Sequence, residues 1–208
     1  METETSVSRG ERTQAEIVSA AYRLFVEHGY HGTSMRQIAQ EAGIALGGIY
    51  NHFASKEELF LNVLLERYPL NAALPMMAAA QGATIEEFVR DAAERMVAGF
   101  GGQQDFLNLM FIEMVEFKGV HLPRMFERFF PQFMGFSQRF VQAEAELRQI
   151  PVMVLMRAFI GLFFSYEMTE VFLAQRIPDE MMENALDYFI DIFLHGILAD
   201  HPPLTEAA

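Results

Sequence analysis

A series of short helical patterns between Thr13 and Leu64 constrains the fold more than any other feature of the sequence. Three segments place Ser or Thr three positions before Glu or Gln, which is the pattern of a capping box: Thr13-Gln14-Ala15-Glu16, Ser34-Met35-Arg36-Gln37 and Ser55-Lys56-Glu57-Glu58. Apolar residues follow each segment at i, i+3, i+4 spacing, which indicates amphipathic helices. We therefore expect helices over 13–28, from Ser34 to Gly43, over 46–53 and from Ser55 onwards.

The second and third of these helices are short and are separated by a tight turn. Gly43 ends the second helix and Leu46 begins the third. A small apolar core would fix the angle between them, consisting of Ile38, Ala39, Ile44, Ile49 and Phe53. Two short helices joined in this way are typical of a helix-turn-helix.

The composition changes after Tyr68, since 17 of the 20 Phe and 12 of the 14 Met lie beyond it. Longer helical patterns follow at about 84–100, 104–117, 121–146, 151–176 and 179–199, and no strand pattern competes with them. The predicted fold is all-α, with about nine helices. We expect two domains: 1–68, with the N-terminal arm, the helix-turn-helix and the start of a linking fourth helix, and 69–208, a helical bundle.

Several classes of function lack support in the sequence. The chain has no cysteine, which excludes a disulfide framework, a thiolate metal site and a cysteine nucleophile. No nucleophile–base pair stands out, so we expect neither an enzyme nor a cofactor. The N-terminus lacks the apolar stretch of a secretory signal. Arg157, Ser165 and Glu167 interrupt the longest apolar stretch before the ~18 residues of a membrane span, so a cytoplasmic protein is expected.

The net charge of −13 argues at first against a nucleic-acid partner. Residues 1–68 contain six Lys/Arg and nine Asp/Glu, a balance of −3. Most of the negative charge therefore lies in the second domain. Any DNA contact by the first domain would depend on few cations, together with hydroxyl groups and helix N-termini.

The helix-turn-helix also resembles a known family in residue types and spacing over about residues 12–65. The residues that carry the resemblance are Gly29-Tyr30, Thr33-Ser34, Ile38-Ala39, Ala42-Gly43-Ile44, Gly47, Ile49-Tyr50, His52-Phe53 and Ser55-Lys56-Glu57-Glu58-Leu59. Together they resemble the N-terminal signature of the TetR family of bacterial transcriptional regulators. The resemblance implies an N-terminal DNA-binding domain joined to a ligand-binding and dimerisation domain.

The resemblance implies that the third helix lies against base edges in the major groove through Leu46, Gly47, Gly48, Tyr50 and Asn51, with Arg36 reaching in from the second helix. Arg36 could bind a guanine and Asn51 an adenine, each contact contributing ~1–3 kcal/mol of discrimination. Gly47-Gly48 departs from the family pattern, which leaves the base preference open.

Phosphate contacts are expected from hydroxyl, imidazole and ammonium groups around this helix, namely Thr33, Ser34, Tyr50, His52 and Lys56. Alternatively, Tyr50 is a half-buried packing residue and Lys56 a solvated charge.

In the second domain, aromatic and thioether side chains predict a pocket for a small apolar or aromatic effector. The predicted pocket residues are Phe106, Met110, Glu113, Met114, Phe117, Phe126, Phe130, Phe159 and Phe163. Core packing is the alternative for each apolar member. Glu113 and Glu116 could instead be solvated or paired with an arginine such as Arg157, and we predict no metal site with the nearby His121.

A homodimer is implied by the resemblance, through the last two long helices. The predicted interface combines small and apolar residues: Ala158, Gly161, Leu162, Ser165, Tyr188, Ile192 and Phe193. Intrachain packing is again the alternative.

These observations predict a ligand-responsive transcriptional regulator in the cytoplasm, associated with the nucleoid. It would bind a palindromic operator as a dimer, most simply as a repressor, and the effector would release it through the Pro69-containing fourth helix. The alternative is an apolar-ligand carrier or interaction module with a degenerate helix-turn-helix. Residues 1–68 have a net charge of −3 and the third helix contains Gly47-Gly48, and both features favour this alternative.

Overall fold

The computed structural model describes residues 8–100, 104–173, 176 and 183–198. Its helices are α1 Arg9–Gly32, α2 Met35–Glu41, α3 Leu46–Ile49, α4 Lys56–Arg67, α5 Leu70–Ala78, α6 Ile85–Phe100, α7 Gln104–Glu116, α8 Leu122–Gln142, α9 Val152–Leu173 and α10 Ala185–Ile197, with a 3₁₀ turn at Glu144–Glu146. Within these residues the one β-type pairing is an isolated bridge between Leu147 and Leu198. The all-α prediction is confirmed. The start of the last predicted helix, 179–182, lies outside the described residues.

The first helix begins one turn earlier than predicted. Ser8 and Glu11 form its capping box, because the Ser8 hydroxyl accepts from the Glu11 amide and the Glu11 carboxylate accepts from the Ser8 amide. The predicted box at Thr13 is wrong, since the Thr13 hydroxyl donates to the Arg9 carbonyl inside the helix. Gly29 breaks the helical conformation with φ of 72°, a value that favours glycine.

Each of the other two capping patterns forms the predicted hydrogen bond from a backbone amide to the serine hydroxyl. Ser34 and Gln37 form the complete predicted box at the start of α2. Ser55 accepts from the Glu58 amide, but the Glu58 carboxylate accepts from the Ala54 amide, one residue earlier than a box requires. The helix α3 ends at Ile49, short of the predicted Phe53, which agrees with the low helix propensity of its two glycines.

Pro69 does not lie inside the fourth helix, as the sequence interpretation assumed. Tyr68 adopts an extended conformation with ψ of 125°, because a residue before proline is disfavoured in the α region. The helix α4 therefore ends at Arg67, and Pro69 caps the separate helix α5.

The chain divides into two compact units. The first contains the residues up to Tyr68 together with Asp105–Met125. Its core is built from α1 to α4 around Phe25, Ile38 and Phe60, and Leu109 and Met125 belong to the same core. The helix α7 therefore packs with the N-terminal helices, although the sequence interpretation assigned it to the second domain.

The second unit contains Pro69–Gln104 and the residues from Phe126 onwards. Its helices α5 and α6 approach closely at Gly99, where an added Cβ would lie 2.4 Å from the Ala73 Cα. Phe136, Phe159 and Phe193 form an aromatic core, with the Phe159 ring 5.2 Å from Phe136 and 5.4 Å from Phe193.

The helix α9 has the length and composition of a membrane span. Its mean hydropathy reaches 1.4 over 18 residues, and 28% of that stretch is buried. Arg157, Ser165 and Glu167 lie within this helix, yet by length and composition it still meets the criteria for a membrane span. A helix that packs within a soluble protein meets the same criteria of length and hydropathy.

Candidate nucleic-acid interface

The helix α3 is held by buried apolar side chains and presents its other side to solvent. Ile49 and Phe53 are buried, as is Ile38 on α2. On the opposite side, Leu46 is 42% exposed and Tyr50 is 51% exposed. Gly47, Asn51 and Arg36 are exposed as well. The side chains predicted to reach bases are therefore accessible, and half of the Tyr50 surface is open to solvent.

The protein's own packing does not explain the two glycines of α3. A Cβ added to Gly47 would meet no atom within 4 Å, and one added to Gly48 would meet only the Ile44 Cδ1 at 4.0 Å. Neither glycine has a positive φ. A glycine that is not required internally leaves the backbone free for close approach by another molecule.

Three of the six cations in residues 1–68 are engaged within the protein. The Arg23 guanidinium lies 2.9 Å from the Glu41 carboxylate. Arg67 donates to the Ser19 hydroxyl and lies over the Tyr22 ring. Lys56 is the third. Within the described residues no ion pair or side-chain hydrogen bond holds the other three cations, Arg9, Arg12 and Arg36.

Lys56 joins α4 to the end of α1. Its ammonium group donates to the Tyr30 and Thr33 carbonyl oxygens, both at 2.7 Å, and lies 4.1 Å from the centre of the Tyr30 ring. Burial lowers the pKa of Lys56, which the Glu116 carboxylate partly offsets. These bonds satisfy helix-end carbonyl groups, so the geometry favours a structural role for Lys56 over the predicted phosphate contact or a solvated charge.

Thr33 is also structural. It is 2% exposed, and its hydroxyl lies 3.0 Å from the Leu24 carbonyl and 2.8 Å from the Gly29 carbonyl. A phosphate cannot reach that hydroxyl without breaking the end of α1. Ser34 is exposed, but its hydroxyl is occupied in the cap of α2, and His52 is partly buried.

The predicted effector-pocket residues fall into both compact units. In the first unit Phe106 and Glu113 are buried, Met110 and Phe117 are partly buried and Met114 is 52% exposed. In the second unit Phe159 and Phe163 are fully buried, Phe130 is partly buried and Phe126 is 56% exposed. For Phe159 and Phe163 the geometry therefore favours the core-packing alternative.

The second unit has a half-open cleft of about 480 Å³ at the end of α8 and the start of α9. Its walls include Phe140, Leu147, Arg148 and Leu155, and none of the predicted pocket residues lines it.

The predicted dimer residues are mostly exposed. Ala158, Gly161 and Ser165 are exposed along one side of α9. On α10, Tyr188 is 65% and Ile192 is 63% exposed. Leu162 is partly buried. Phe193 is 4% exposed and packs on Phe159, so it belongs to the core of its own chain.

The first unit also contains polar contacts of α7 that the sequence did not predict. Glu113 does not pair with Arg157; its carboxylate accepts from the His121 amide at 2.8 Å and lies 2.7 Å from the His121 Nδ1. Glu116 lies 3.2 Å from His31. At the other end of α7, the Tyr22 hydroxyl donates to Asp105, and burial with that carboxylate raises the pKa of Tyr22 to about 12. His121 lies beyond the turn that ends α7, and the partners His31 and Tyr22 lie on α1, so the periodicity of one helix does not reveal these contacts.

Comparison with known proteins agrees with this geometry. The sequence profile of the bacterial regulatory proteins of the tetR family matches residues 17–63. The HTH-type transcriptional repressor AcnR of Corynebacterium efficiens is 39% identical over 64 residues, which cover 29% of this chain and 34% of that protein. The chain thus matches about a third of the length of this curated relative.

Solved structures of similar fold cover nearly the whole chain. A protein from Mesorhizobium loti, described as a TetR-family transcriptional regulator, has a TM-score of 0.68 at 21% identity, covering 93% of this chain and 100% of that one. The regulator FadR of Bacillus subtilis, solved with stearoyl-CoA, has a TM-score of 0.63 at 18% identity, covering 86% and 96%. At such identities the likeness shows the fold alone. Residues 17–63, a helix-turn-helix with the expected exposed face, are therefore similar to the N-terminal segment of the bacterial regulatory proteins of the tetR family.

Proposed function

We propose that the chain is a ligand-responsive transcriptional regulator that binds a palindromic DNA operator as a homodimer. The observation that carries this proposal is the exposed side of α3, where Leu46, Tyr50 and Asn51 are accessible above a buried apolar base. A short helix supported in this way can enter the major groove of B-DNA. Arg36, exposed and without an ion pair among the described residues, supplies a cation beside it.

Base contacts are assigned to Arg36, Tyr50, Asn51 and the Gly47-Gly48 backbone. Lys56 and Thr33 are assigned a supporting role, because their polar groups already bond to carbonyl oxygens at the end of α1. They hold the position of α2 and α4, and through these helices the position of α3.

The dimer is proposed to form through α9 and α10. The exposed side of α9 combines small residues, Ala158, Gly161 and Ser165, with the apolar Val154 and Phe172. Tyr188 and Ile192 add exposed apolar area on α10. An intersubunit helix bundle would cover these residues, and it would also account for the high hydropathy and low burial of α9.

Repression, and release by a small apolar or amphipathic effector, complete the proposal. The curated relative described above is a repressor, and the structurally similar FadR was solved with stearoyl-CoA. The proposed regulator would act in the cytoplasm, where it meets the chromosome.

The test is an electrophoretic mobility shift with the DNA upstream of the chain's own coding region. We expect specific binding that an Arg36→Ala, Tyr50→Ala double variant loses. Unchanged affinity in that variant contradicts the assignment of the interface. Equal affinity for random duplex at every salt concentration contradicts an operator-binding regulator and favours the carrier alternative.

A further inference from the structure

A buried acid–histidine pair, formed by Glu113 of α7 and His121 of the turn between α7 and α8, lies beside the start of α4. Glu113 near the end of α7 is fully buried, and His121 is 7% exposed. The Glu113 carboxylate uses one oxygen for the His121 amide and the other for the His121 Nδ1. A buried ionised carboxylate is costly unless it is hydrogen-bonded or paired, and His121 supplies both partners.

The second ring nitrogen of His121 points to α4. Its Nε2 lies 3.6 Å from the Glu57 Oε1, slightly beyond hydrogen-bonding distance. Glu57 belongs to the first turn of α4 and is next to Lys56, which fastens α4 to the end of α1. The His121 ring thus lies between a carboxylate of α7 and a carboxylate of α4.

Protonation of the ring changes its electrostatic interaction with Glu57 of α4 from repulsive to attractive. When Glu113 is ionised, the Nδ1 hydrogen is donated to it, so a neutral ring directs the Nε2 lone pair at the negative Glu57. A protonated ring directs an N–H group at the same carboxylate, and a movement of a few tenths of an ångström forms a charge-assisted hydrogen bond. Histidine is the side chain that ordinarily makes this change between pH 5 and 8.

The surroundings of the ring leave few other charges to offset this change. On α4, Glu57 faces the ring, whereas the Lys56 ammonium is bonded to carbonyl oxygens at the end of α1. On α7, Glu113 faces it, and Glu116 pairs with His31 of α1. Two aromatic rings also lie near it, with the Phe117 and Phe60 ring centres 4.8 and 6.3 Å from that of His121.

We propose that His121 is a proton-operated latch between the α7–α8 turn and the start of α4. Protonation fastens the turn to α4 through Glu57, and loss of the proton releases that contact while the bonds to Glu113 remain. The latch would make the position of α4, and hence of the helices that it supports, respond to pH. The inference goes beyond DNA binding and does not depend on it, because the contact lies wholly within the first unit.

The test measures amide hydrogen exchange in the full chain at pH 6 and pH 8, corrected for the intrinsic rate at each pH, without DNA. Protection of the amides of Leu59 to Leu61 should be about two- to fivefold higher at pH 6, the range expected for one partly exposed ion pair. The buried amides of α1 around Ile17 to Ala21 should not share this change.

Two variants and one control make the test specific. Glu57→Gln removes the charge on α4, and His121→Asn keeps a donor for Glu113 but cannot titrate; in both, the pH dependence at Leu59 to Leu61 should disappear. The control is His28→Gln, at an exposed histidine whose nearest acid is its own neighbour Glu27, and it should keep the dependence.

The proposal is overturned if wild-type protection at α4 is the same at both pH values, if Glu57→Gln retains the full dependence, or if α1 changes as much as α4.

Discussion

Substitution of Gly47 should change the stability of the fold and the affinity for DNA in opposite directions. In Gly47→Ala the new Cβ meets no protein atom within 4 Å, and the φ of Gly47 is not positive. The substitution should therefore cause no strain. Alanine in place of a helical glycine contributes about 0.5–1 kcal/mol, and Gly47 lies within α3. We expect the melting temperature to rise by about 1–4 °C for a chain of this size.

The same methyl group should weaken DNA binding. It would project from the exposed side of α3, beside Tyr50 and Asn51, where the proposed interface brings the backbone close to base edges. Loss of one good base contact costs ~1–3 kcal/mol, which corresponds to roughly a five- to 150-fold loss of operator affinity. Differential scanning calorimetry and a fluorescence-anisotropy titration with operator DNA measure the two effects on one protein sample.

The matched control is Gly135→Ala. Gly135 is an exposed residue of α8, and a Cβ there also meets nothing within 4 Å. We expect the same direction of stabilisation with operator affinity unchanged. If Gly47→Ala binds the operator as tightly as this control, the close approach of the α3 backbone to DNA is refuted. If Gly47→Ala melts at a lower temperature than wild type, the inference of open space at that position is refuted.

Three further predictions test neighbouring assignments. Lys56→Met should lower the free energy of unfolding by about 1.5–3 kcal/mol, because carbonyl groups at the end of α1 lose a charged donor, whereas Arg36→Ala should leave the urea midpoint unchanged and reduce operator affinity. Phe193→Ala should destabilise the fold by about 3–5 kcal/mol, whereas Ile192→Glu should keep the helical circular dichroism and shift sedimentation from dimer to monomer. Burial, together with the charge of Glu170, raises the pKa of Glu167 from 4.5 to about 7. Because the folded state then keeps a proton that the unfolded state loses, the free energy of unfolding falls as pH rises from 4.5 to 7. Urea titrations at pH 5 and 8 should show that Glu167→Gln removes this fall, which is on the order of 1–2 kcal/mol after solvent screening.

Local rules of helix chemistry predicted much of the N-terminal fold. Ser34 and Gln37 form the predicted cap because both partners lie within one turn of each other, so the geometry is set by sequence spacing alone. Ile38, Ile49 and Phe53 are buried as their spacing indicates. The error at Thr13 has the same origin, since Ser8 and Glu11 satisfy the same rule one turn earlier and extend α1.

Tertiary contacts account for what the sequence did not reveal. Lys56 seemed free for phosphate because nothing in its own helix engages it; its partners, Tyr30 and Thr33, are more than 20 residues away. Likewise the composition of α7 resembles that of the second domain, but Leu109 of this helix belongs to the core of the first unit. Phe193 and Ile192 are adjacent and both apolar, and only helix packing decides that one is buried and the other exposed.

The small number of available cations makes the salt dependence of operator binding a final test of the interface. Three cations of residues 1–68 are engaged within the protein, namely Arg23, Lys56 and Arg67. The cations of this segment that remain available to DNA in each subunit are Arg9, Arg12 and Arg36. Six such cations in a dimer would release about six counterions, so log K should fall against log salt with a slope of about −5. Anisotropy titrations between 50 and 300 mM salt measure that slope, and Arg36→Ala should reduce its magnitude by about two. A wild-type slope near −10 would contradict the interface, because the dimer would then need the three engaged cations, and the contacts of Lys56 that hold α1 to α4 would have to break on binding.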